Sequence, residues 1–278
     1  MFNAATKTIA GVMLAALVAC SGDNEKKLAQ ALYDQAEEAI DAAHYSTAVM
    51  LIDSLKTTYP RQIDIRRRAL HLTARAGEGL ALQRLQSADS LLAAITAESE
   101  AMRDQIKQVD NPVEKYYVAA SAKPAEFIGS DGLQARLSPD GQLYIISSLG
   151  SRKVKSTAVA VESTGERAET SSVAHDGERN DRSMCAEVIT FMGVECDSLA
   201  NFIAAHAADP ITLTFMGEKN YSMTLPKSQA EEIAVVTRYA TLLRRGRAAV
   251  VEKEKQQRIL DTARSQAART FTEEAPAE

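Results

Sequence analysis

The run Gly132-Leu-Gln-Ala-Arg-Leu-Ser-Pro-Asp-Gly-Gln-Leu-Tyr-Ile-Ile-Ser-Ser148 decides the fold class. Leu133, Ala135 and Leu137 alternate with Gln134 and Arg136, which puts the apolar residues on one face of an extended strand. Ser138-Pro139-Asp140-Gly141 is turn chemistry, with proline presetting φ and glycine taking a positive one. Leu143 to Ile146 then returns, so residues 132–148 are expected to form a β-hairpin. Strand-like runs recur at 157–161 and 184–192, joined by a polar stretch near 163–182. A second hairpin is expected where Ile211, Leu213 and Phe215 meet a turn at 217–220 and then Tyr221, Met223 and Leu225. Between the two, Asp197 is placed to cap a short helix whose Leu199, Phe202, Ile203 and His206 share a face. Residues 125–226 therefore read as a β-rich module with one short helix.

On both sides the period becomes helical. Leu28, Leu32, Ala36, Ala39, Ile40 and Ala43 recur at three- and four-residue steps. A second face follows at Ala48, Leu51, Ile52 and Leu55, stopped by Tyr59-Pro60 because proline disfavours helix in the residue before it. An antiparallel hairpin closing near His44 is expected. Leu32, Ala36, Tyr45, Ala48, Ile52, Leu55 and Pro60 resemble a tetratricopeptide repeat in their spacing. Gln35 and Ala39 depart from its large apolar positions, and Ala43 stands where that family has glycine. The resemblance covers one repeat, with no second copy at the period of about 34 residues. It implies a lone hairpin, covered by the rest of the chain or open to a partner.

Ala81, Leu85, Ala88, Leu92, Ile95, Ser99, Met102, Ile106 and Val109 then step 4-3-4-3, the seam of a coiled coil. Gly77-Glu78-Gly79 upstream is expected to weaken or bend the helix, at about 1 kcal/mol per glycine. The seam needs cover from its own hairpin, the C-terminal helix or a second copy. Within the chain, Val236, Leu243 and Val250 are the matching stripe. That last helix opens at a capping box, Ser228-Gln229-Ala230-Glu231. The expected order is a helical segment with hairpin and coiled-coil-like helix (26–110), a linker (111–124) after Asp110-Asn111-Pro112, the β-rich module (125–226), a C-terminal helix (227–271) and a tail of disordered composition (272–278). The class is α+β.

At the N-terminus, Lys7 precedes an apolar run at 9–19 of secretory-signal length, short of the about 20 residues that span a bilayer. Leu17-Val18-Ala19-Cys20, followed by polar Ser21 to Glu25, resembles the lipobox of bacterial lipoproteins. That resemblance implies loss of a signal peptide at 1–19, acylation of Cys20 (palmitate among its chains) and a tether at 20–25. Serine directly after the cysteine implies outer-membrane sorting, while Asp23 and Glu25 resemble the tag of surface-exposed lipoproteins. The periplasmic face and the cell surface both stay open.

Of the 278 residues, 45% are hydrophobic and 25% charged, within the globular range. A net charge of −5 argues against a nucleic-acid partner, for which a basic surface is expected. Cys185 and Cys196 are open to a disulfide in an oxidising envelope or to two free thiols. The four scattered histidines and the lack of C-x-x-C argue against zinc, and His206 reads as a core histidine. Arg66 to Arg68 read as a solvated helix face, and Arg244 to Arg247 as surface cations within reach of anionic headgroups. No G-x-S-x-G, H-E-x-x-H or phosphate-binding glycine loop occurs. The enzyme-like candidate is a polar loop containing His175, Asp176, Glu178 and Arg179, a composition that ordinary loops share.

These readings converge on a non-catalytic, lipid-anchored envelope protein without cofactor or metal, acting as a protein–protein scaffold or binding module. Its expected partners are the membrane, through the lipid, and another envelope protein; a monomer is preferred over a dimer. One alternative is an envelope enzyme for cell-wall or glycan substrates, which needs a concave polar pocket within 125–225. Another is an outer-membrane assembly factor resembling the helical-repeat lipoproteins, which carry several repeats.

Overall fold

The computed structural model describes residues 22–110, 112, 114–174, 178–182 and 185–273. The chain is α+β and divides into two compact units, Met1–Leu85 with Lys255–Glu278, and Gln86–Glu254.

The first unit holds α1 (Gly22–Asp41), α2 (Tyr45–Thr58) and the first part of α3 (Ile63–Ala101). Ala36 and Ala48 are fully buried, and small side chains at both positions let α1 and α2 approach closely. The hairpin face is covered by α3: Leu72 and Ala76 close one cluster with Ala36, Ala48 and Ile52, while Ile65 and Ala69 close another with Ala29 and Leu55. The hairpin turns at Ala43, where His44 N–H reaches Ala39 O (2.8 Å) and Ala43 N–H reaches Ile40 O (2.9 Å). This paired pattern puts its C′ residue in the left-handed region, and Ala43 has φ +58. An L-side chain there costs about 1–2 kcal/mol, partly offset by glycine's greater freedom when unfolded. Ala43→Gly is therefore expected to stabilise the protein by about 0.5–1 kcal/mol, read as a higher urea midpoint; an unchanged or lower midpoint would contradict the strain.

Helix α3 runs without a break through Gly77 and Gly79. Gly77 faces the Ala263 methyl and Gly79 lies under the Tyr45 ring, where an added methyl would overlap it. They are sites of close approach. The distal part of α6 (Lys227–Glu273) brings Leu260 and Ala263 into this unit's buried surface, and Arg264 Nε meets Glu78 at 2.9 Å.

In the second unit, α3 ends at Ala101 and a 3-10 turn (Arg103–Gln105) follows. Then come β1 (Ile106–Asp110), β2 (Lys115–Ala119), α4 (Pro124–Phe127), β3 (Gly132–Leu137), β4 (Leu143–Leu149), β5 (Ala158–Ser163), β6 (Glu166–Glu169), β7 (Asn180–Asp181), β8 (Glu187–Met192), α5 (Val194–Ala205), β9 (Thr212–Met216) and β10 (Tyr221–Thr224). Two antiparallel sheets form, in the orders β1-β2-β3-β4-β8-β7 and β10-β9-β5-β6. Both predicted hairpins are present, with Leu137 opposite Leu143 and Phe215 opposite Tyr221. One core joins Ile145, Ile189 and Phe191 of the larger sheet to Val159, Val161 and Phe215 of the smaller. Leu199 and Ile203 of α5, with Ile233 and Val236 of α6, complete it.

The seam is buried or half-buried from Ala81 through Met102 but stops there. Ile106 and Val109 lie on β1, paired with β2, because the ladder to residues 115–119 satisfies their backbone outside a helix. Residues 111–124, expected as a linker, thus contain β2 and the start of α4. Within this unit the seam meets α6 running antiparallel: Ile95, Met102 and Leu242 cluster with Val235 and Tyr239. Glu98–Arg238 (3.1 Å) and Asp89–Lys253 (2.6 Å) flank that contact. The matching stripe sits one residue ahead of the one expected. Val236 and Leu243 belong to the β core, and Val250 is 45% exposed.

Other differences are local. Two short strands, β6 and β7, form inside the polar stretch. Helix α5 starts at Val194 after Gly193 (φ +76), so Asp197 lies inside its first turn and pairs with Arg244 at 2.8 Å. Helix α6 begins at Lys227, one residue before Ser228. Gln134 and Arg136, which alternate with the apolar residues of β3, are buried as well: Arg136 donates to Gln134 (2.9 Å) and Glu114 (2.8 Å) and stacks on Tyr116.

Candidate functional site

The anchor candidate Cys20 and the loop residues His175 and Asp176 lie outside the described residues. Glu178 and Arg179 are exposed; Arg179 O accepts the Thr190 N–H (3.0 Å), which ties the loop's end to β8. His206 packs on Phe202 and meets Glu166 at 3.3 Å, as a partnered histidine at the end of α5. Cys185 is exposed and Cys196 buried, both as free thiols. Burial, reinforced by Asp197, pushes the Cys196 thiol up to about 12, so it stays protonated against Leu143 O. Among the described residues no helix is long and apolar enough to cross a membrane.

The structure instead draws attention to residues the sequence did not single out. Glu187 begins β8 in phase with Ile189 and Phe191, so its side chain points toward the core and is only 3% exposed. It accepts the N–H groups of Lys155 and Ser156, each at 2.8 Å, and the Ser156 hydroxyl at 2.8 Å. Arg182 adds a charged donor at 3.2 Å. The Ser156 carbonyl in turn accepts from Asn180 (3.0 Å) and Arg182 (3.3 Å), so every polar group of that buried serine is engaged. Burial raises the Glu187 carboxyl, but the donors from Ser156 and Lys155 and the Arg182 charge outweigh it and hold the pKa below the ordinary value.

This knot ties the start of β5 to β7 and β8 and shapes a cleft of about 510 Å³. Lys153, Lys155, Arg182, Cys185, Glu187, Glu218 and Lys219 line it, with Val154 and Ala186. The β9–β10 turn closes one side through the Glu218 N–H on Val154 O (2.9 Å). Lys155 and Cys185 hold φ of +54 and +63, two of the four non-glycine residues with positive φ among those described. The Lys155 conformation is held by its N–H on Glu187. Four cations thus face two carboxylates, of which Glu187 is engaged with Arg182 and Glu218 with Lys155. Among the described residues the cleft's polar lining is made of charged side chains and Cys185. A concave polar pocket of the kind the enzyme alternative needs is therefore present within 125–225. The in-phase glutamate among apolar residues at 187–191 was the one signal in the sequence that pointed here. No family model, no curated protein and no solved structure matches this chain.

Proposed function

We propose that this protein is a lipid-anchored component of the bacterial envelope, held at the outer membrane through acylated Cys20 and acting as a non-catalytic scaffold or binding module. The observation that carries the reading is Leu17-Val18-Ala19-Cys20, placed directly after a charged and then apolar leader and before a polar tether. Several acyl chains on one cysteine hold a protein at a bilayer stably, at about 0.8 kcal/mol per buried CH₂. The hairpin α1–α2 with α3 supports a scaffold role, since helical hairpins of this spacing resemble tetratricopeptide modules that present surfaces to other proteins. The seam of α3, covered by α6 within the second unit, supports a monomer.

Cys20→Ala is expected to move the protein from the membrane pellet to the soluble fraction after a high-salt wash, while the wild type stays in the pellet and carries acyl chains by intact mass. Retention of the variant on washed membranes would overturn the anchor.

A further inference from the structure

We propose that the cleft between the start of β5, the β7–β8 segment and the β9–β10 turn is a binding site for a phosphate-bearing anion. The chain carries −5 overall, yet its charged cleft residues are cationic by four to two. Glu187 is taken by Ser156, Lys155 and Arg182, and Glu218 by the Lys155 ammonium. Lys153 and Lys219 form no ion pair with any described residue, and both are exposed where they line the cleft. Two such ammoniums across a concavity attract an anion more strongly than an open surface does, because low-dielectric walls focus the field.

Preorganisation is the second strand of the argument. Lys155 and Cys185 are held in a backbone conformation that costs of order 1–3 kcal/mol each. Such strain persists where surrounding contacts over-determine it, and at Lys155 the buried Glu187 carboxylate is that contact. Lys155 and Arg182, held by Glu187 and Glu218, are thus set in place before a ligand arrives, which lowers the ordering cost of binding. Lysine recognises phosphate as a point charge, and a volume of about 510 Å³ suits a small organic phosphate or a lipid headgroup. The site stands on the cleft alone and does not rest on the anchor at Cys20.

The test uses the full chain with two probes. Inorganic phosphate is titrated by calorimetry, and vesicles of phosphatidic acid in phosphatidylcholine are compared with pure phosphatidylcholine by flotation. The wild type is read against Lys153→Glu/Lys219→Glu, so any anchor contributes equally to both. Binding of either phosphate probe, weakened about tenfold or more in the double variant with its circular dichroism unchanged, is the expected result. Response to inorganic phosphate identifies a free phosphate ligand; response only to phosphatidic acid identifies a headgroup. Absence of binding in both arms, or equal binding by the double variant, overturns the proposal. Should the double variant misfold, Glu218→Gln replaces it. Release of Lys155 is then expected to tighten phosphate binding about two- to threefold, and unchanged or weaker binding overturns the assignment.

Discussion

Ala48→Glu is expected to cost the first compact unit at least about 3 kcal/mol of stability, because bulk and an unpaired charge enter a fully buried site together. Ala48 is 0% exposed among the apolar side chains of Ala36, Ile52, Leu72 and Ala76. Overpacking alone accounts for about 1–3 kcal/mol, so Ala48→Leu isolates the steric part. The remainder has a pH signature. A carboxyl buried without a partner has a folded pKa above its unfolded one, so it destabilises more as pH rises and less as pH falls. Urea denaturation of Ala48→Glu and Ala48→Leu at neutral and at acid pH is expected to show a gap that narrows on acidification. Two variants of equal stability at every pH would place residue 48 in contact with water.

Glu187→Ala is expected to lower stability by about 3–5 kcal/mol, comparable to the first effect and likewise smaller at acid pH, although here the carboxyl's pKa is shifted down and not up. Its removal leaves the N–H groups of Lys155 and Ser156 without their acceptor and Arg182 without its carboxylate. Glu187→Gln keeps a carbonyl but turns an amide donor toward other donors, so an intermediate loss is expected. Because the folded pKa of Glu187 is depressed, its contribution is complete above the unfolded carboxyl value and fades as pH falls through the folded one. Chemical denaturation from pH 7 to pH 3 is expected to show the wild type converging on Glu187→Ala at the acid end. A constant gap across that range would mean that packing, and not the charged acceptor, is what the knot depends on. The same variant relaxes the positive φ at Lys155, so the phosphate cleft is expected to loosen with it.

How far the fold was legible differs from segment to segment. The hairpin at 132–148 and the hairpin at 211–225 were readable because period-two alternation and turn residues coincide. The α1–α2 turn and the seam from Ala81 to Met102 were readable because local apolar spacing alone determines a helical face. The partner of that seam was not. The sequence pointed to Val236, Leu243 and Val250, whereas the α6 face that packs on Ile95 includes Leu242 and the nearly featureless Gly246. A glycine lets backbones approach but carries no hydrophobic signal, so apolar counting selected the neighbouring stripe. Ile106 and Val109 matched the heptad and still became strand, because pairing with residues 115–119 lies beyond what a periodic window sees.

Taken by itself, the sequence determined the α+β class, the two hairpins, the long helices and the expectation of a lipid anchor at Cys20. Each of these follows from contiguous residues, whose spacing and chemistry act locally. Only the tertiary structure decided the cleft. Its lining comes from 153–155, 182, 185–187 and 218–219, segments that no local pattern connects, and sheet pairing brings them together. It also decided that Glu187 is a buried acceptor holding two backbone N–H groups, since burial and hydrogen bonding are properties of what surrounds a side chain. Local chemistry sets which elements form; long-range packing sets which charges are left to meet a ligand.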